Sequence, residues 1–194
     1  EAEVELSPKG LAAFAPGLRA GFAEGRGRAR LVLDLPKGSP PQMVLTSDLT
    51  GLALAVPEIG WRKAAGTAGR LEVEAQLGKP AAVTKLRLEA PGLAATGRVI
   101  LRADGRLDRA EFAEVRAGDW LVAPVTLSPG QGGALRVSVA GGRADLRRLP
   151  ETLGQGGKPG GAGSTLDIRL DRLEVTDQIA LAALRGEFTT RGGF

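Results

Sequence analysis

The side chains that could do acid–base chemistry in this chain come as carboxylate pairs: Asp104 with Asp108, Asp167 with Asp171, and Glu72 with Glu74. Two carboxyls held about 5 to 9 Å apart across a cleft can hydrolyse a glycosidic bond, one donating a proton while the other attacks or activates water. Here each pair alternates with apolar residues and has arginine nearby, which reads as a solvated sheet face. Composition closes other routes. The 194 residues include no His, Cys or Tyr, so zinc, iron–sulfur and copper centres lose their usual ligands and Ser–His or Cys–His nucleophiles are excluded. A calcium loop around Asp104 or Asp119 lacks the ligand density such loops need. No catalytic, cofactor-binding or metal-ligating residue is expected, and the chain reads as a protein that is not an enzyme.

Three other features resemble binding sites. Arg26, Arg28 and Arg30 are spaced by two and share one face if extended. The chain carries 26 basic and 22 acidic side chains, a net charge of +4, and 20 of the bases are Arg. They are scattered among acids, with Arg70 before Glu72 and Glu74, and Arg169 and Arg172 around Asp171. Aromatics, at 4%, are too few to supply stacking platforms. No nucleic-acid partner is expected, and the Arg26–Arg30 patch is at most a contact for an anionic surface. The glycine-rich run Gly154 to Gly163 contains Lys158, but Pro159 follows it where a phosphate loop needs Ser or Thr. It reads as a flexible loop. Trp61 reads as a plug at a sheet edge.

What must position all of these is β-structure. Gly and Pro together number 29 and 12, fitting many short strands and turns. Apolar residues alternate with polar ones in Leu71 to Leu77, at Leu86 and Leu88, in Val99 to Ala103, in Leu135 to Val139 and in Leu166 to Leu170. Further strands are expected at Ala29 to Leu35, Met43 to Leu49, Leu107 to Val115, Trp120 to Leu127, Leu173 to Val175 and Ile179 to Phe188. Turns are expected at Pro36-Lys37-Gly38, Ala90-Pro91-Gly92 and Ala117-Gly118-Asp119, and Asp104-Gly105 predicts a tight primed hairpin. Ser7 before Pro8 predicts a short helix through Phe14, and Asp145 to Leu149 a turn. Residues 1–28 otherwise carry no clear assignment. The apolar runs Leu31 to Leu35, Leu52 to Val56 and Ile179 to Leu184 are far shorter than the ~20 residues of a membrane-spanning helix. The chain opens on Glu1 and closes on Arg191-Gly192-Gly193-Phe194, so a single β-rich segment, 1–194, of a longer polypeptide is expected.

The order of these segments resembles the AsmA-like superfamily. Asp48-Leu49-Thr50-Gly51, the apolar run Leu52 to Val56, Pro57, and Lys63-Ala64-Ala65-Gly66 resemble a stretch of its YhdP-type branch. Leu101 to Leu107 resembles the family's strand–Asp-Gly–strand hairpins. Leu166 to Val175, followed by Leu181 to Gly186, resembles its recurring strands. The resemblance covers most of Ala29 to Phe188. It implies a meandering, mostly antiparallel, strongly curved sheet, an open taco-like trough with little helix. It also implies a periplasmic parent anchored in the inner membrane and linked to phospholipid transport toward the outer membrane.

Strict alternation buries one face of each strand and wets the other. That apolar face is either a sandwich core or the lining of an acyl-chain groove. The candidate lining residues are Leu71, Val73, Ala75, Leu77, Leu86, Leu88, Val99, Leu101, Leu135, Val137, Val139, Leu166, Ile168 and Leu170. Small residues expected inward (Ala75, Ala90, Ala103, Ala113, Ala140) and the scarcity of aromatics favour an open interior. Phospholipid or fatty acyl chains are the expected ligands. Neighbouring segments of the parent, or a second copy paired edge to edge, are the expected protein partners. The alternative is a structural β-spacer or interaction module with no ligand.

Overall fold

A computed structural model describes residues 1–14, 21–130, 135–151 and 165–189. The loop expected at 154–163 lies outside the described residues. The strands are β1 (Ala2–Leu6), β2 (Ala23–Gly25), β3 (Gly27–Asp34), β4 (Gln42–Ser47), β5 (Leu52–Val56), β6 (Trp61–Lys63), β7 (Arg70–Gln76) and β8 (Ala82–Ala90). They continue with β9 (Leu93–Leu101), β10 (Leu107–Ala117), β11 (Leu121–Pro129), β12 (Leu135–Ala140), β13 (Arg143–Asp145), β14 (Thr165–Glu174) and β15 (Ala180–Thr189). One helix, α1 (Pro8–Phe14), and 3-10 turns at Pro57–Ile59 and Leu146–Arg148 complete the described elements. The chain is nearly all β, as its alternation predicts.

Twelve strands form one sheet in the order β1-β3-β4-β7-β8-β9-β10-β11-β12-β14, with β15 on the far side of β14 and β13 pairing with both β14 and β11. Pairing is antiparallel except where β14 runs parallel to β12 and β13. From β7 to β12 each strand lies beside its chain neighbour, as short connections dictate. The chain departs from that rule after β4. Strands β5 and β6 leave the large sheet and join β2 in a separate three-stranded sheet.

Local chemistry explains the boundaries. Ser7 caps α1, its Oγ accepting from Gly10 N at 3.3 Å, with Pro8 at the first helical position. Asp145 caps the second 3-10 turn, accepting from Arg147 N at 3.0 Å. At Asp104-Gly105 only the glycine has positive φ, +80°. A primed two-residue turn needs positive φ at its first central position, and type I′ at both. The expected primed hairpin is therefore replaced by a longer turn, in which Arg102 N donates to Arg106 O and Asp104 Oδ1 accepts from Arg106 N.

Buried apolar side chains form two clusters. The larger joins Leu45, Leu71, Val73, Val83 and Val99 of the large sheet to Leu11 of α1 and to Ala23, Leu52, Leu54 and Trp61 of the small one. The smaller consists of Ala123, Val139, Ala144, Leu170 and Leu173. Among the described residues it draws only on strands of the large sheet itself. Two of the five small residues expected inward follow that expectation: Ala75 is buried and Ala90 half-buried. Ala103, Ala113 and Ala140 are exposed. Ala103 lies past the end of β9, Ala113 sits in a β-bulge that shifts the phase of β10, and Ala140 has the opposite parity to buried Val139.

Candidate functional site

Register turns the alternation into continuous rows. Directly opposed residues run Ala2, Leu31, Leu45, Val73, Leu86, Gly97, Phe112, Val125, Val139, Ile168, Gly186, across eleven strands without one polar side chain. A parallel row runs Leu33, Met43, Ala75, Val83, Val99, Ala110, Leu127, Val137, Leu166, Phe188. A bulge in β8, between Val83 and Leu86, lies between these rows and keeps the two in phase. The apolar face is thus one surface, crossing the strands at right angles to the chain.

Its burial is uneven. Leu45, Val73, Val83 and Val99 are at most 3% exposed, under the packing of the larger cluster. Toward β11–β15 the rows open: Val125, Leu127, Val137, Leu166 and Ile168 are half-buried, and Phe188 is 52% exposed. At the other end Leu33 is 46% exposed. Of the expected lining residues, Leu71, Val73, Ala75, Leu86, Leu88, Val99 and Leu101 belong to the larger cluster or pack against it. Val139, Leu166, Ile168 and Leu170 belong to the smaller one or its margin. Leu135 and Val137 are half-buried on β12, and Leu77 lies just past β7, exposed, its N donating to Pro41 O.

The opposite face is charged and paired. Lys85 Nζ donates to Glu72 Oε1 and Glu74 Oε1 at 2.9 Å each. Its ammonium holds the Glu72 carboxyl below the ordinary 4.5, and the two carboxylates raise Lys85 above 10.5. Arg98 meets Glu111 at 2.6 Å and Arg136 meets Asp167 at 3.5 Å. Asp104 and Asp108 sit beside Arg106 and Arg102. Asp171 instead accepts from Gly142 N. These carboxylates act as ion-pair and hydrogen-bond partners on a wet face. Arg26 pairs with Glu5 of β1, and Arg30 with Glu1 just before that strand.

Trp61 lies on the outermost strand of the small sheet, 6% exposed, its Nε1 donating to Pro91 O at 2.8 Å. Two residues on, Lys63 is 4% exposed, its Nζ donating to the carbonyls of Leu49, Leu52 and Ala64. Burial lowers its pKa from 10.5, with Asp48 opposing the shift. In the sequence Lys63 stands out only as the start of Lys63-Ala64-Ala65-Gly66, with no mark of burial of its own. Its signal was parity: a strand that turns Trp61 inward turns Lys63 inward as well.

The chain's two tryptophans line one cavity. Trp61 and Trp120 line a cavity of about 380 Å³ with Ala117, Gly92, Gly118, Asp119 and Arg148. Gly92 and Gly118 take positive φ, and a Cβ on either would lie 3.4 Å from an indole. Among the described residues no group of three carboxylates could hold a metal ion, and no helix is long and apolar enough to cross a membrane. The chain matches no protein-family model, no curated protein and no solved structure.

Proposed function

We propose that this chain is a non-enzymatic segment of an AsmA-like periplasmic protein, and that its apolar sheet face carries phospholipid acyl chains between the inner and outer membranes. The observation that supports this most is the pair of apolar rows, which stay in phase across the large sheet and, buried Val139 apart, are only partly covered over β11, β12, β14 and β15. Strands lie about 4.8 Å apart, so a row over these four strands spans roughly 14 Å. An acyl chain laid along it needs no placed polar group, because each methylene removed from water contributes about 0.8 kcal/mol. The charged opposite face suits a wall with water behind it. In this reading the sheet curves into an open trough. Neighbouring segments of the parent, itself anchored in the inner membrane, continue the rows past β1 and β15.

A second reading is favoured by β15. Among the described residues it pairs only with β14, and it leaves Leu181 and Phe188 42% and 52% exposed. A long apolar edge of this kind recruits further strands, which suits an interaction module. Mass spectrometry of an organic extract from protein purified without detergent separates the two. Stoichiometric phospholipid or fatty acid is expected. A clean extract, with edge-paired dimers in solution, would favour the interaction module.

A further inference from the structure

Resting on the proposed acyl-chain track, we propose that the cavity between Trp61 and Trp120 is a headgroup subsite for a zwitterionic phospholipid. In it the phosphate is held by Arg148, and the ammonium by Asp119 and the Trp120 indole. The cavity adjoins the apolar face beside Ala117, itself buried in the larger cluster, which stands opposite half-buried Leu121, a residue that packs against both clusters. In the proposal, a lipid whose tails run past Leu121 onto the face places its polar end here.

The charges select the ligand. Arg148 reaches Asp119 at 3.5 Å and Asp145 at 3.6 Å. Asp145 is already held by Arg147 through both carboxylate oxygens, at 2.8 and 2.7 Å, so Arg148 keeps donors to spare. Asp119 is 84% exposed, with Arg148 its ion-pair partner among the described residues. A free anion would gain Arg148 and meet Asp119, and a free cation would meet the reverse. A ligand with phosphate and ammonium two carbons apart satisfies both at once. It needs only to open an exposed ion pair, which is a weak interaction. Trp61 commits its N–H to Pro91 and offers its ring. Trp120, half-buried, carries an indole N–H with no protein partner among the described residues. An ammonium against an indole face gains cation–π attraction, and a phosphate on a guanidinium gains charge-assisted hydrogen bonds. Ile59 and Pro150 complete the apolar lining, and Gly92 and Gly118 add no side chain to it.

The chain has no Tyr, so Trp61 and Trp120 supply the near-ultraviolet-excited emission, and both face the cavity. The test titrates the protein with dihexanoyl-phosphatidylethanolamine, dihexanoyl-phosphatidylglycerol and free phosphoethanolamine while following that emission. A saturable shift is expected with the ethanolamine lipid, at affinity at least about tenfold above the glycerol lipid and the free headgroup. Arg148→Gln and Asp119→Asn should each weaken it about tenfold. Both side chains are exposed, so melting temperature should stay unchanged. Equal titration by the two lipids, unaltered affinity in both variants, or equal affinity for free phosphoethanolamine would overturn the proposal. Photo-crosslinking with a diazirine fatty acid distinguishes its failure from that of the track. Crosslinks on β12 and β14 with an indifferent headgroup series refute the subsite alone, whereas absent crosslinks refute the track.

Discussion

Gly97 and Phe112 stand directly opposite each other between β9 and β10, and a methyl group on Gly97 would lie 2.8 Å from Phe112 Cδ1 and collide with the Glu111 carbonyl oxygen. Gly97→Ala should therefore destabilise the protein by roughly 1–3 kcal/mol, the usual cost of overpacking. Because the obstructing oxygen belongs to the backbone, adding Phe112→Leu should not restore stability. Urea midpoints of the single and double variants check this. Recovery in the double variant would mean that the ring alone sets the limit.

Val73 and Val137 lie in the two apolar rows but differ in cover, Val73 being 2% exposed and Val137 half-buried. Val73→Arg leaves an unpaired charge inside the larger cluster and should cost several kcal/mol, enough to unfold the chain. Val137→Arg can extend its guanidinium to water, so the fold should survive within about 1 kcal/mol while acyl-chain crosslinking falls. Thermal melts paired with crosslinking decide. Unfolding in both would make the C-terminal face a closed core.

Lys63→Met removes the donor to three carbonyls in a buried site. Stranded acceptors cost about 1–3 kcal/mol each before relaxation, and a net loss of about 3 kcal/mol is expected. There is also a pH signature. Burial places the folded pKa of Lys63 below 10.5, so between that lowered value and 10.5 the unfolded chain binds more protons. Stability from this group therefore rises with pH across that window and is level below it. Chemical denaturation between pH 7 and pH 11 should show that rise in the wild type, and the methionine variant should lose it.

The Glu72–Lys85–Glu74 group gives opposite limits. Glu72 is held below 4.5, so its contribution is complete above 4.5 and disappears as pH falls through the lowered value. Lys85 is raised above 10.5, so its contribution is complete below 10.5 and disappears as pH rises through the raised value. Lys85→Met should flatten the acid limb of the stability–pH profile. The effect should be small and salt-sensitive, since these groups are solvent-screened. An unchanged acid limb would show that other carboxylates set it.

Much of the large sheet was legible in the sequence because period-two alternation survives wherever one face is apolar. Leu71 to Gln76 reads as a strand from its residues alone, and so does Leu135 to Val139. The small sheet was not legible. Strands of three residues such as Trp61–Lys63 carry too few alternations to count, and Leu52 to Val56 alternates leucine with alanine, so parity leaves no polar mark. The turn into it is hidden too, because it depends on buried Leu49 adopting φ of +59°, a conformation leucine rarely takes. The Trp61–Trp120 cavity lay beyond local reasoning altogether. Its two indoles are far apart in the chain and share the cavity with Gly92 and Gly118, each close to one of them.

Two unequal clusters divide the large sheet's resistance to opening. Strands β12 and β14 run parallel, so their pairing closes a long excursion of chain and gains none of the locality of a hairpin. The cluster beneath them is small and, among the described residues, draws nothing from the second sheet. Amide protons of β12–β15 should therefore exchange by a sub-global opening that leaves β4–β10 protected. The strands proposed to hold lipid would be those that part most readily, and an acyl chain on them would slow that exchange by mass action.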